Sequence, residues 1–418
     1  MNKIEKFVYD TLKHNPKIKI KVRNLYQSFY DALPNKKDYS LNPIQAKEGY
    51  FFGFHDVSPF SYDDTKILAN KLTIPLRMPN KKDALEVGYF DIKNGKFGEY
   101  TKIGESRAWN YHKGCRLQWA GENHVIFNDA EGGKLVSRLY NIKKGTTKTI
   151  PFPIDTASQC GKFATSFSYG RLEMTMPGYG YDYEDESFKD IKITEETGLF
   201  IGSLEDGTRE LVVNLQELND KGGVAQYFIE DAHQYVTHSL FSPDGRYVSF
   251  LYRATVVEDI MKRWTQLVVY DRETKKLHFS PTNEMVSHYV WNSKNQIIAY
   301  SRIGEKDSHV LFEEPTLQKH RRVAYPQLNS DGHQSFISDN IFVTDTYPDK
   351  HRVAKLYKVG IESNEVTLLA SVNSFKKFQS RPYKHWCCDL HPRMNRKGDM
   401  VCFDSVHTGE RALCAMEV

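Results

Sequence analysis

Four histidines of this chain share one setting, each standing three residues before a large apolar side chain that runs into a polar turn. His238 precedes Phe241 and Ser242-Pro243-Asp244-Gly245, and His288 precedes Trp291 and Asn292-Ser293-Lys294-Asn295. His333 precedes Phe336 and Ser338-Asp339-Asn340, and His391 precedes Met394 and Asn395-Arg396-Lys397-Gly398. The chain has 15 histidines, so four successive ones at one position exceed scatter. Imidazole serves as a metal ligand or as a proton acceptor near neutral pH. Asp389, two residues before His391 on the same strand, points to the same side and adds a hard oxygen. Mixed imidazole and carboxylate ligation suits Mn, Fe, Zn or Ni. The competing account makes each histidine a packing device, hydrogen-bonded to the backbone of its neighbour.

The setting repeats upstream without histidine. Val57 precedes Phe60 and Ser61-Tyr62-Asp63-Asp64, Arg116 precedes Trp119 and Gly121-Glu122-Asn123, and a weak copy lies near Ala164 and Phe167. Copies recur at about 45 to 60 residues, with one longer gap before His238, a period that marks propeller blades. The expected fold is all-β: a seven-bladed β-propeller over 42–418, preceded by a basic, partly helical N-terminal arm over 1–41. Radial repetition lets a chain of 418 residues bury each sheet against its neighbours. It also brings equivalent positions of successive blades to one height around a central channel, so the four histidines converge.

Further candidates flank the repeat position. His55-Asp56 follows the glycine-flanked run Gly49 to Phe54. Arg107, Trp109 and His112 combine a flat ring with donors for hydroxyls or carboxylates, the character of a carbohydrate wall. Arg116 and His238 occupy blade slots themselves, and Arg263 opens the alternating strand Lys262 to Asp271. The segment from Pro177 to Glu186 fills the long gap, where an insertion between blades is expected at the surface.

Aromatic content of 13% suits sheets packed face to face. A formal charge of +4 gives no case for nucleic acid, which needs a concentrated basic face. The six cysteines form no CxxC pair and read as free thiols of a cytoplasmic protein. No run approaches the roughly 20 apolar residues of a membrane span. Residues 1–41 interleave lysines with apolar positions at helical spacing, which fits a packed arm or a peripheral contact with an anionic membrane.

From about His238 onward the chain resembles the oligogalacturonate lyases, seven-bladed propellers that cleave uronic-acid oligosaccharides by β-elimination with a divalent metal, typically manganese. The resemblance rests on Arg263-Trp264 to Asp271, His288-Tyr289-Val290-Trp291, Gly332-His333-Gln334-Ser335-Phe336, and Asp389-Leu390-His391-Pro392 through Asp404-Ser405-Val406-His407-Thr408-Gly409. It implies His288 as Brønsted base, Arg263 as the arginine that activates the substrate, and His333 and His391 as metal ligands. Where the family has Gln-x-x-His-x-His, this chain has Trp386-Cys387-Cys388-Asp389-Leu390-His391, so Asp389 stands for a histidine and Trp386 for the glutamine. The chain is also similar to propellers encoded beside surface-polysaccharide assembly genes. An oligosaccharide or polysaccharide substrate follows from either likeness. Two other readings stay open: a glycan-processing hydrolase using Asp56, Asp389 or a loop carboxylate, and a non-catalytic glycan-binding or scaffold propeller.

Overall fold

The computed structural model describes residues 37–183, 190–223, 231–282, 284–378 and 386–418. The expected helical arm lies outside these residues, save its last few. Seven antiparallel sheets make the seven blades of a β-propeller. Blade one comprises Tyr50–Phe51, Lys66–Lys71, Leu85–Lys93 and Lys96–Ser106; blade two comprises Gln118–Trp119, His124–Glu131, Lys134–Asn141 and Thr146–Ile150. Blade three has Phe163–Ser166, Gly198–Ser203 and Arg209–Asn214, with a single bridge between Ala157 and Ala164 in place of its inner strand. Blade four runs Ala232–Phe241, Tyr247–Val256, Asp259–Asp271, Leu277–Phe279, and blade five Val286–Trp291, Ile297–Ile303, Lys306–Phe312, His320–Val323. Blade six runs Gln334–Ser338, Ile341–Asp345, Val353–Gly360, Val366–Asn373.

Blade seven closes the ring with both ends of the described chain. Arg393–Met394, Met400–Ser405 and Ala412–Glu417 are joined on the outside by Gln45–Glu48, with Gln45 opposite Ala415 and Glu48 opposite Ala412. Tyr39–Ser40, expected in the helical arm, is instead a strand on the outer edge of blade six. A second lock is polar. Asp404 accepts the Phe52 and Gly53 amides, each at 3.0 Å, and meets Arg393 at 3.3 Å and Arg411 at 3.7 Å, tying blade seven to blade one.

The middle strands are buried on both faces because each blade is covered by its two neighbours. In Tyr247–Val256 all residues but the first and last are buried, whereas the first four of the outer strand Thr146–Ile150 are exposed. Leu240, Leu251, Leu267 and Val269 of blade four meet Val286, Ile297, Ala299 and Val310 of blade five in one apolar layer. Each such side chain contributes about 1.5–3 kcal/mol when fully buried, so successive interfaces hold the ring. The turns follow one recipe. Ser242 accepts the Tyr247 amide on its hydroxyl at 2.9 Å and donates to Asp244 at 2.5 Å, and Gly245 takes the left-handed φ of 74° that a side chain would resist.

That recipe relocates the weak third copy. Ser158-Gln159-Cys160-Gly161 is the blade-three turn, with Gly161 N donating to Ser158 O at 2.9 Å, as Gly245 N does to Ser242 O. The slot is therefore Ile154, and Ala164 lies on the following strand. Blade three also carries the insertion, whose short helix Tyr169–Thr175 is capped by Ser168 accepting the Arg171 amide at 3.0 Å. None of the six cysteines forms a disulfide among the described residues. Among the described residues no helix is long and apolar enough to cross a membrane.

Candidate functional site

The channel is filled at its centre by Phe54. Its ring lies 4.8 Å from those of His55 and His238, 5.0 Å from His391, 5.9 Å from His288 and 6.0 Å from His333. Five imidazoles thus surround one phenyl, with His288 to His333 at 4.0 Å and His333 to His391 at 4.2 Å between centroids. The local cause is a kink at the slot. His238 and His391 take φ of 54° and 47°, and the ladder slips between Thr237 and Leu240 and between Val286 and Tyr289. Each slip turns the slot side chain toward the axis. In blade one Gly53, at φ 117°, makes the bend earlier. Hence His55, rather than Val57, reaches the ring of histidines.

Carboxylates orient three of these groups. Asp345 accepts the His333 amide at 2.7 Å, binds His333 Nδ1 at 2.8 Å, and accepts the His391 amide at 3.0 Å on its other oxygen. Asp331 lies 3.3 Å from His288 Nδ1 and accepts the Ser287 hydroxyl at 2.7 Å. Burial lowers His288 to about 4, so it is neutral at pH 7 despite Asp331. Burial also opposes charge on His333, but Asp345 outweighs it and raises that imidazole above its ordinary value. Burial, with His333 adding to it, holds His391 well below.

Ligand atoms of His333, Asp389 and His391 all lie within 4.8 Å of one another. Both ring nitrogens of His391 are buried without a hydrogen-bond partner among the described residues, and Asp345 fixes His333 by its Nδ1. Orphaned imidazole nitrogens beside a carboxylate, with an oriented neighbour, are what a divalent metal requires. These residues fit such an ion. Asp389 is pushed up to about 6, chiefly by burial, with Asp345 adding to it and His333 opposing.

Over one end of this cluster opens a cavity of about 340 Å³ lined by His112, Tyr179, Arg263, Tyr347, Cys387 and Asp389, among others. Tyr347 connects it to the cluster, its ring 5.6 Å from His333 and 6.5 Å from His288. Arg263 is exposed and makes no ion pair among the described residues. Arg253 is buried nearby, donates to Met176 Sδ at 3.1 Å, and is lowered to about 10 by burial and by Arg263. Two guanidiniums without a carboxylate partner leave this wall positive.

Several expected substrate contacts lie elsewhere. Arg116 is sealed between blades, bound to Asp56 at 2.8 Å and to Asp155 at 3.0 Å, with its side chain 1% exposed. It positions blades and has no free face for a ligand. Asp56 is held in the same pair through one oxygen and borders the opposite mouth, away from the cavity beside Arg263. Trp109 is buried, its indole donating to Asp83 O at 2.9 Å, and it does not line the cavity beside Arg263. Arg107 lies with Trp109 on a second cavity of about 540 Å³, between the 78–82 loop of blade one and the insertion. Of that expected wall only His112 faces the channel mouth, stacked on Tyr179 at 4.2 Å and 9°. His55 is 3% exposed and borders the opposite mouth, while His238 is 3% exposed and closed in by Phe54.

Residues outside the sequence reading complete the site. Tyr179 belongs to the insertion, which folds back onto blade two through Asn110 Nδ2 donating to Gly180 O at 3.2 Å and Tyr183 OH to Arg107 O at 3.0 Å. Asp331 and Asp345 reach histidines 43 and 46 residues away, so no local pattern marks them. Phe54 stands next to His55 in a run of aromatic residues and glycines, a signal that was present but unspecific.

No family model matches the chain, and no curated protein does. Among solved structures it is similar to an oligogalacturonate lyase in complex with manganese, at 10% identity and a TM-score of 0.46 over 92% of this chain and 98% of that one. It is likewise similar to Kuenenia stuttgartiensis hydrazine synthase, at 9% identity and 0.47 over 86% and 95%. TolB from Acinetobacter baumannii aligns at 12% identity and 0.39 over 85% and 80%. Likeness at this level carries no argument, and the seven-bladed β-propeller is read from the chain's own seven sheets.

Proposed function

We propose that the channel mouth binds a uronic-acid-containing glycan and cleaves it by β-elimination. The observation that carries this reading is Arg263, an exposed guanidinium without an ion pair among the described residues, on the wall of a cavity also lined by Asp389 and by Tyr347, whose ring lies 6.5 Å from that of His288. Arg263 binds the uronate carboxylate, which lowers the cost of the second negative charge that proton loss at C5 builds beside it. His288, neutral and oriented at Nδ1 by Asp331, takes the C5 proton on its other ring nitrogen. The C5–C4 bond gains double-bond character as the C4 glycosidic oxygen departs, and no water is consumed. Tyr179 and Tyr347 lie at the mouth as phenol donors for that oxygen. His333, Asp389 and His391 would hold a divalent ion, manganese by the family resemblance, which supplies Lewis-acid stabilisation of the carboxylate when bound.

The test is incubation with oligomers of galacturonate, glucuronate and mannuronate, reading near-ultraviolet absorbance of the unsaturated sugar and product mass. Absorbance that grows with cleavage supports elimination; cleavage with added water and no absorbance supports hydrolysis instead. A hydrolytic reading has one observation in its favour: Asp389, raised to about 6, is the kind of carboxyl that can donate a proton to a leaving oxygen.

A further inference from the structure

A second ligand set overlaps the first. His112, Cys387 and Asp389 also place one ligand atom each within 4.8 Å of the others, and Cys387 Sγ lies 3.6 Å from His112 Nε2. The three come from different parts of the ring: His112 precedes the inner strand of blade two, and Cys387 and Asp389 precede that of blade seven. Stacking of His112 on Tyr179 at 4.2 Å fixes the plane of its ring. Asp389 belongs to both sets, and the 1%-exposed His391 in the other set carries the two orphaned ring nitrogens, an independent sign that this corner of the channel is built for a cation.

We infer that His112, Cys387 and Asp389 form a second divalent-metal site of zinc type at the rim of the channel mouth, adjoining the buried His333–Asp389–His391 set. The thiolate decides the class. A thiolate selects zinc over manganese, and the buried set has no sulfur, so the two sets differ in selectivity even though they share one carboxylate. Three protein ligands leave a tetrahedral ion one position open toward the cavity, the pattern of reactive rather than closed structural zinc. Binding displaces the Cys387 thiol proton, so metal uptake releases a proton to solvent. The inference stands on the ligand geometry and does not depend on the glycan or on elimination.

Cobalt(II) chloride added to the metal-stripped full chain is the first probe. A thiolate-to-cobalt charge-transfer band in the near ultraviolet is expected, abolished by Cys387→Ser and weakened by at least about tenfold in cobalt affinity by His112→Gln. His391→Gln, which lies in the other set, keeps the band. A second measurement needs no variant: alkylation mapped by mass spectrometry with and without zinc. Zinc should slow labelling of Cys387 several-fold while leaving the exposed Cys160 unchanged. Absence of the band, its survival in folded Cys387→Ser protein, or equal labelling of Cys387 with and without zinc would each overturn the inference.

Discussion

His288 and Arg263 are assigned opposite tasks by their surroundings. His288 is buried, neutral and tied to Asp331, whereas Arg263 is exposed and charged at the cavity wall. Replacing His288 by Gln should lower kcat by about 10²–10⁴ with a modest change in KM, the usual range for a lost general base. Arg263→Ala should raise KM and lower kcat/KM, because its carboxylate contact exists before and during proton loss. Steady-state rates on uronate oligomers check both, and equal effects of the two changes on KM would argue against the division of roles. The repeat spacing placed His288, His333 and His391 correctly around one axis, since a ring converts period into proximity. It could not mark Asp331 or Asp345, because Asp331 is 43 residues from the histidine it orients and Asp345 reaches His391 across 46. Nor could it distinguish Arg116 from Arg263. Both are arginines in polar stretches beside strands, and only the buried partners Asp56 and Asp155 separate a blade lock from an open cation.

At the scale of elements, the insertion within blade three and the strand Gln45–Glu48 matter most. The insertion reads as an exposed loop from its glycines and acids, yet its Pro177–Tyr183 part packs on blade two and delivers Tyr179 to the mouth. It is pinned by Glu173, whose carboxylate accepts the Gly178 amide at 2.9 Å and the Gly180 amide at 3.1 Å. Burial raises Glu173 to about 7, against those two donors. A carboxyl with a raised folded pKa contributes stability that is full below its ordinary range and is lost as pH rises toward 7. Thermal melts of wild type against Glu173→Gln should therefore show the wild type losing ground between about pH 5 and pH 7, with the variant flat over that window. A difference independent of pH would contradict the protonation account. The outer strand Gln45–Glu48 was hidden for another reason: it pairs with residues at the far end of the chain, a match that no local periodicity contains. A truncation beginning at Gly49 leaves the Ala412–Glu417 edge unpaired, and size-exclusion chromatography should find it aggregated or lacking a cooperative melt.

Across the whole molecule, a ring is only as stable as its closure. Blade seven holds blade one through the shared sheet and through Asp404, which satisfies two amides and two arginines in a site where its own side chain is fully buried. Asp404→Ala leaves Arg393 and Arg411 buried without that carboxylate, and a loss of about 3–5 kcal/mol is expected from chemical denaturation. A loss under about 1 kcal/mol would mean that apolar packing alone closes the ring. The same closed ring divides the channel: Phe54 fills the axis, so the cavity beside Arg263 and the opposite mouth bordered by His55 are separate compartments. Elimination at the first mouth is the central claim, and cleavage in heavy-oxygen water tests it most directly. The account predicts that a cleaved uronate oligomer yields one unsaturated product and no incorporated heavy oxygen; incorporation of one solvent oxygen per cleavage would contradict it.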